Sequence, residues 1–432
     1  MDANLSIKEL TRILARINRL EKLGRISLEE KKVLKERLLS NGDNTEILAA
    51  FHAWKDGNDD GLEISLKALV PSLEAQDDGE DKLLDRVLSA RSPPLLTNPT
   101  VYNKTLLFCA KDMEDVAQQA VMKSKNRLVL GEITWERFDT PDGWPHLFIK
   151  NPHDLQCNDV MYIASFHSPQ VVFEQLSIIY ALARYGCRSL RIIVPFFATG
   201  TMERVDRYGD VATAAVLARM LSMTPHSSGG PAQFVFLDIH ALQEQFYFSD
   251  NVIVLLKSCV RLLLEVLQNL RKQEKIVIVF PDDGAFKRFH NRFESFEIVI
   301  CHKLRLGDQR IVQIRDGLEF VAKSHCVIVD DLVKSGGTLI ECADALLNQG
   351  ASKISCYVSH GVFPNESYRK FFYSSHPKVK FENFWMTDSI PAVASIVKNE
   401  RPFKVLSIAP LITFLRQNFW DKHIGPEPNR YD

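Results

Sequence analysis

The stretch Cys326–Thr338, CVIVDDLVKSGGT, carries the residues whose types and spacing point most directly to chemistry. An apolar run ends in two adjacent carboxylates, Asp330 and Asp331. A short loop with Ser335, Gly336 and Gly337 follows, and Thr338 opens a helical pattern, LIECADALLNQG. Glycines let a backbone approach an anion closely, and the loop N–H groups together with a helix N-terminus offer free donors and a partial positive charge. That combination suits a phosphate. Paired carboxylates at a strand end accept hydrogen bonds from the vicinal hydroxyls of a sugar, so the segment as a whole matches a ribose that carries a 5-phosphate.

The elements that must hold this loop in place are visible around it. From Lys104 onward, short apolar runs alternate with helical stretches. The expected strands are LLFCA, RLVLGEI, VMYIASF, LRIIVPFF, FVFLDIH, KIVIVF, EIVICHK, HCVIVDD, ISCYVSH, FENFWM and KVLSI. Several are apolar throughout, as in parallel sheets covered on both faces. Helical patterns over Val171–Tyr185, Asp210–Leu221 and Thr338–Gln349 lie between them. The fold class is α/β. Eleven strands are many for one sheet, so the spacing implies two doubly wound parallel sheets in tandem, broken near residues 245–270, with ligands beyond the carboxyl ends of strands.

Residues 1–95 have a different texture, charged and helix-prone. Ile7, Leu10, Ile13, Leu14, Ile17 and Leu20 recur at helical spacing, and Ser27 and Glu30 form a capping box for a second helix. Gln76–Asp81 and the SPPLLTNPT stretch from Ser92 read as linker. The expected division is therefore a helical extension and linker over 1–95, one α/β domain over 96–255 and a second over 256–432.

Composition narrows the partners. In 432 residues, 53 Lys and Arg nearly cancel 54 Asp and Glu. The global positive field of a dedicated nucleic-acid or anionic-membrane binder is missing, and phosphate has to be bound locally. No segment reaches the roughly 18 uncharged apolar residues of a membrane span, and MDANLSIKEL lacks the basic-then-apolar order of a secretory leader. The expectation is a cytoplasmic protein. Eight cysteines form no CxxC pair and sit mostly in apolar runs, which fits buried reduced thiols.

VIVDDLVKSGGT resembles the phosphoribosyl-pyrophosphate loop of type I phosphoribosyltransferases and ribose-phosphate pyrophosphokinases. The full upstream α/β half, which lacks such a loop, favours the pyrophosphokinases, as do FLDIHA (236–241), PDDGAFKR (281–288), HKLR (302–305) and SHGVF (359–363) in the family order across residues 104–415. PFFATGTMER, DGWPHLFI and DIHALQE are similar to the plant-type, class II branch.

The resemblance implies two tandem phosphoribosyltransferase-like sheets and transfer of pyrophosphate from Mg-ATP to carbon 1 of ribose 5-phosphate. It implies Lys303 and Arg305 as the catalytic pair of a mobile loop after EIVIC. His240 and Asp282 become magnesium ligands, with Asp238 and Asp283 as weaker alternatives. For ATP it implies Phe138 stacked on the base, Asp142 near the purine, and His240. Asp330, Asp331, Ser335, Gly336, Gly337 and Thr338 become the ribose 5-phosphate site. A homo-oligomer, dimer-based, trimeric or hexameric, is expected, with the Phe138 loop supplied by a neighbouring subunit in many members.

Two departures stand out. Thr201 and Met202, followed by Glu203 and Arg204, replace the Arg-Gln pair of the commonest branch, which leaves Arg204 as the substitute ATP contact. Lys334 replaces a loop aspartate. The competing readings are a phosphoribosyltransferase and a non-catalytic regulatory paralogue.

Overall fold

The computed structural model describes residues 105–306 and 309–417, together with Ile17, Lys31, Leu34 and Lys35. The chain divides into two compact units, Met1–Asn98 and Pro99–Asp432. In the first unit the four described residues are helical, and Ile17 and Leu34 are fully buried. The rest of the expected helical hairpin and the linker lie outside the described residues.

In the second unit, six parallel strands form a first sheet. They are β1 (Thr105–Cys109), β2 (Leu128–Leu130), β5 (Asp159–Ile163), β6 (Ser189–Val194), β7 (Ala232–Leu237) and β8 (Val252–Lys257), in the order β2-β1-β5-β6-β7-β8. Strands β3 (Ile133–Arg137) and β4 (Pro145–Ile149) make a separate antiparallel hairpin. The second sheet has seven strands: β9 (Ile276–Phe280), β10 (Glu297–Leu306), β11 (Gln309–Asp316), β12 (His325–Val333), β13 (Lys353–Gly361), β14 (Phe384–Thr387) and β15 (Phe403–Leu406). Their order is β11-β10-β9-β12-β13-β14-β15, and all pair in parallel except β10 with β11.

Helices cover both faces of each sheet, so the central strands are mainly apolar; β5 and β9 are buried at every position. On the first sheet, α2 (Pro169–Arg184) and α3 (Thr213–Ser222) pack on one face. On the other lie α1 (Glu114–Lys123) and the last helix, α8 (Ala409–Gln417). The start of α2 is set locally. Ser168 caps Val171 N–H and Pro169 occupies the first turn, where its missing N–H costs nothing. The helix then buries Leu176, Ile179 and Leu182, and its interior Gln175 is satisfied by bonding both Ser165 N–H and Ser165 C=O. Burying three such aliphatic side chains contributes on the order of 5 kcal/mol. On the second sheet, α4 (Val260–Leu270) and α5 (Asp283–Phe289) cover one face. Helix α6 (Gly337–Asn348) and an aromatic cluster of Phe363, Tyr368, Phe371, Phe381, Phe384 and Phe403 cover the other. The short α7 (Pro391–Val397) leads into β15.

Four strands depart from the sequence reading. ITWER and PHLFI are a hairpin, and VIVLLK, inside the expected break, extends the first sheet to Lys257. QRIVQIRD pairs with β10, which does not stop at Cys301. It runs on to Leu306, so Lys303 and Arg305 stand within an antiparallel ribbon, opposite Val312 and Arg310, where a loop was expected. Alternating polar and apolar residues, HKLRL, read equally well as a solvated strand. Seven cysteines are buried, Cys157 is exposed, and all eight are free.

Candidate active site

In the second sheet the strand order reverses between β9 and β12: β10 lies on one side of β9, and β12 to β15 follow on the other. Strand β12 pairs with β9 only as far as Ile328, then continues alone beside β13 to Val333. A crevice must open at such a switch point. It is a cavity of about 290 Å³ lined by His240, Asp282, Arg288, Asp330, Asp331 and the loop from Lys334 to Thr338.

Each wall follows from local sequence. Asp282, two residues past β9, caps α5, accepting from Ala285 N–H at 3.0 Å. The phosphate-loop candidate turns at Gly336, whose φ of +78° is the left-handed region that favours glycine. A Cβ at Gly336 would stand 2.4 Å from the Phe371 ring, so the loop is seated directly on the aromatic cluster. No side chain caps α6, and its first-turn N–H groups are left facing the cavity as anion donors.

His240 arrives from the first sheet, three residues after β7, and donates from Nδ1 to Asp331 Oδ2 at 2.7 Å. Arg288 on α5 donates to the His240 carbonyl at 2.7 Å and approaches Asp331 Oδ2 at 3.4 Å. Asp331 N–H bonds Asp330 Oδ1 at 2.9 Å. Lys334 Nζ donates to Thr201 Oγ1 at 2.9 Å, so the loop is tied to the first half as well.

The charges follow. The Asp331 bond raises the His240 pKa against the opposing effect of burial. Burial pushes Asp331 up, but the His240 bond and the Arg288 charge outweigh it and hold the carboxyl below the usual range. Asp330 is pushed well up, first by burial and then by Asp331 and Asp282. Three carboxyl groups crowd a cavity with one nearly buried guanidinium, and a divalent cation there would favour their charged forms. Asp282 and His240 face that space together, and a hard cation such as magnesium needs no more than one or two protein ligands beside waters and phosphate oxygens. Among the described residues no group of three or more His, Cys, Asp or Glu side chains is arranged to hold a metal ion.

The cavity thus gathers His240, Asp282, Asp330, Asp331, Ser335, Gly336, Gly337 and Thr338. It does not gather the adenine candidates. Phe138 stands half exposed beside the β3–β4 hairpin, stacked on His146 with centroids 4.5 Å apart, and Asp142 is exposed in the hairpin turn. Arg204 is exposed and pairs with Glu203 at 3.0 Å. Two residues carried no signal in the sequence. Arg288 lies in PDDGAFKR and Glu244 in DIHALQE, and neither motif gave them a role. Glu244 is fully buried, neither carboxylate oxygen has a partner among the described residues, and burial followed by Glu203 pushes its pKa up to about 8.

A phosphoribosyl transferase domain profile matches residues 235–388, which span β7 to β14. Over 326 residues the chain is 47% identical to ribose-phosphate pyrophosphokinase 3, chloroplastic, of Oryza sativa subsp. japonica, covering 75% of this chain and 78% of the relative. The chain belongs to the ribose-phosphate pyrophosphokinase family. It is also 46% identical to ribose-phosphate pyrophosphokinase 4 of Arabidopsis thaliana over 307 residues, 71% of this chain and 90% of that one. In fold it is similar to the crystal structure of phosphoribosylpyrophosphate synthetase from Mycobacterium smegmatis, with a TM-score of 0.61 at 21% identity over 74% of this chain and 99% of the other. Two tandem, mainly parallel α/β sheets are therefore the pyrophosphokinase fold in this chain. Among the described residues no helix is long and apolar enough to cross a membrane. Relatives carry chloroplastic and mitochondrial names, so family membership does not fix a cytoplasmic address.

Proposed function

We propose that the protein is a ribose-phosphate diphosphokinase that moves the pyrophosphoryl group of Mg-ATP to the C1 hydroxyl of ribose 5-phosphate, giving phosphoribosyl pyrophosphate and AMP. The observation that carries this reading is the meeting of His240 from the first sheet with the Asp330–Thr338 loop of the second in one cavity.

The 5-phosphate takes the N–H groups of Ser335 to Thr338. Asp331 Oδ2 is held by His240 and Arg288, and Asp330 Oδ1 by the Asp331 amide. The two carboxyls take the vicinal hydroxyls through their remaining acceptor positions, which orients C1 towards the His240 side. The C1 oxygen then bonds to the β-phosphorus of ATP as the bond from that phosphorus to the α–β bridging oxygen breaks. AMP leaves with the bridging oxygen, and the proton of the C1 hydroxyl passes to water. Lys303 and Arg305 on β10 supply positive charge as it shifts across the transferred group. His240 and Asp282 would hold magnesium, which supplies charge neutralisation on the ATP phosphates when bound. Phe138 and Asp142 serve the adenine and Arg204 the phosphates. Because those three stand outside the cavity, they fit a site completed by a neighbouring subunit of a homo-oligomer.

No nucleic acid or membrane takes part. Free cysteines throughout support a reducing compartment, the cytoplasm in our reading, which imaging of the tagged protein tests. A phosphoribosyltransferase reading accounts for residues 235–388 alone. The deciding assay is purified protein with Mg-ATP and ribose 5-phosphate. AMP and phosphoribosyl pyrophosphate should appear in equal amounts and stop when chelator removes magnesium, whereas no AMP under any of these conditions rejects the proposal.

A further inference from the structure

Behind His240 lies a second tie between the two sheets that the proposed chemistry does not use. Asp238, two residues before His240, is buried and has a left-handed backbone with φ +43°, which a non-glycine residue keeps only where its surroundings over-determine it. Its N–H bonds Lys257 C=O at 2.8 Å. Its carboxylate accepts from Cys259 N–H at 2.8 Å and from the Ser359 hydroxyl on β13. The remaining group, the Asp238 carbonyl, faces the ring of His360.

His360 is 2% exposed and lies on β13 directly opposite Leu332 of β12, one residue past Asp331. Its Nε2 stands 3.1 Å from Leu237 O and 3.2 Å from Asp238 O. Both are acceptors, so Nε2 carries the proton. Its Nδ1 lies 2.8 Å from Ser389 Oγ and therefore accepts from that hydroxyl. Ser389 Oγ also stands 3.1 Å from the Ser359 carbonyl, but that carbonyl already accepts from Thr387 Oγ1 at 2.6 Å, so the closer ring nitrogen takes the Ser389 proton. Burial first of all favours this neutral form. The Phe196 ring, 5.0 Å away, closes the remaining side.

We propose that His360 is a positioning residue: its Nε2–H clamps the turn that carries His240 to the strand pair that presents Asp331, and so sets the contact between them. The strained turn has its amide tied to its own sheet, its carbonyls tied to the other, and its carboxylate shared between Cys259 after β8 and Ser359 on β13. Without the ring, the two carbonyls at Leu237 and Asp238 lose their donor and the His240 turn can relax away from β12.

The kinetic arm of the test rests on the proposed reaction, but the spectroscopic arm does not. In ¹⁵N-histidine-labelled full-length protein, the His240 Nδ1–H bonded to Asp331 should give a low-field imidazole proton, identified by its loss in His240→Asn. His360→Leu should abolish that signal, cut kcat by about 10- to 100-fold, as a displacement near 1 Å does in an active site, and raise KM for Mg-ATP more than KM for ribose 5-phosphate. His360→Gln, whose side-chain amide replaces the Nε2–H donor, should restore the signal and bring kcat within about threefold of wild type if the geometry is regained. If His360→Leu does not fold, Ser389→Ala, which frees Nδ1 only, should broaden or shift the same proton. A His360→Leu protein with lowered melting temperature but an unchanged low-field signal and unchanged KM ratio overturns the proposal, as does a glutamine variant no better than leucine. Absence of turnover in wild type would reject the proposed function while leaving the spectral result to decide this one.

Discussion

His240 and Asp331 are 91 residues apart, belong to different sheets, and share a 2.7 Å hydrogen bond at the mouth of the cavity. The side chain that supports both is Arg288, which donates to the backbone of one and faces the carboxylate of the other.

Arg288→Ala removes a charged donor from the buried Asp331 carboxylate and from the His240 carbonyl. The expected cost is about 2 kcal/mol, a few degrees in melting temperature. Arg288→Lys keeps the charge but not the fork and should fall between. Thermal unfolding of the three proteins side by side checks this. Equal melting temperatures would show that Arg288 is not a clamp.

Asp330–Thr338 was legible because strand, carboxylates, glycine turn and helix are contiguous, so each residue's role is set by near neighbours. Arg288 was not, because its partners come from residues 240 and 331 and only the packed fold puts them together. Glu244 escaped for the same reason. A glutamate between two glutamines reads as surface, and nothing local says that α3 and the Thr199–Arg204 loop close over it. Strand β8 was lost because a short apolar run beside the amphipathic α4 satisfies either period. The hairpin residues Phe138 and Asp142 were found as types, but the sequence could not say how far from the cavity they would stand.

Lys303→Ala should lower kcat by about 100-fold or more, while ribose 5-phosphate binding measured by calorimetry stays within about twofold of wild type. The charge is needed when phosphoryl charge redistributes. Loss of sugar binding in step with turnover would move Lys303 out of that role.

Glu244 makes stability fall as pH rises. The unfolded carboxyl titrates near 4.5 and the folded one near about 8, so the folded state holds the proton more tightly. Between those values each pH unit costs up to ~1.4 kcal/mol, and the loss is complete only above about 8. Glu244→Gln should therefore have little effect on melting temperature at pH 5 and raise it by several degrees at pH 8. A constant difference at both pH values would mean the carboxyl is not desolvated.

Lys334 holds Thr201 across the cavity mouth and adds a positive charge to the phosphate loop. Activity should persist in buffer free of inorganic phosphate, with ADP competing against ATP, and Lys334→Met should raise KM for ribose 5-phosphate several-fold. Initial rates in phosphate-free buffer are decisive, since a steep sigmoidal need for millimolar phosphate in wild type sinks the idea.

Residues 99–432 should fold and keep the activity of the full chain, because they form one compact unit. Circular dichroism and the AMP assay on that fragment check it. An insoluble fragment would make the first unit integral to the fold.

The contact between Gly336 and the Phe371 ring bears on how quickly the enzyme captures its sugar phosphate. A loop that must order itself around an anion loses backbone entropy at the moment of binding. Here the turn is already seated against a close-packed aromatic layer, so that entropy was lost during folding. On the proposed assignment of this loop to the 5-phosphate, capture is a rigid-receptor event.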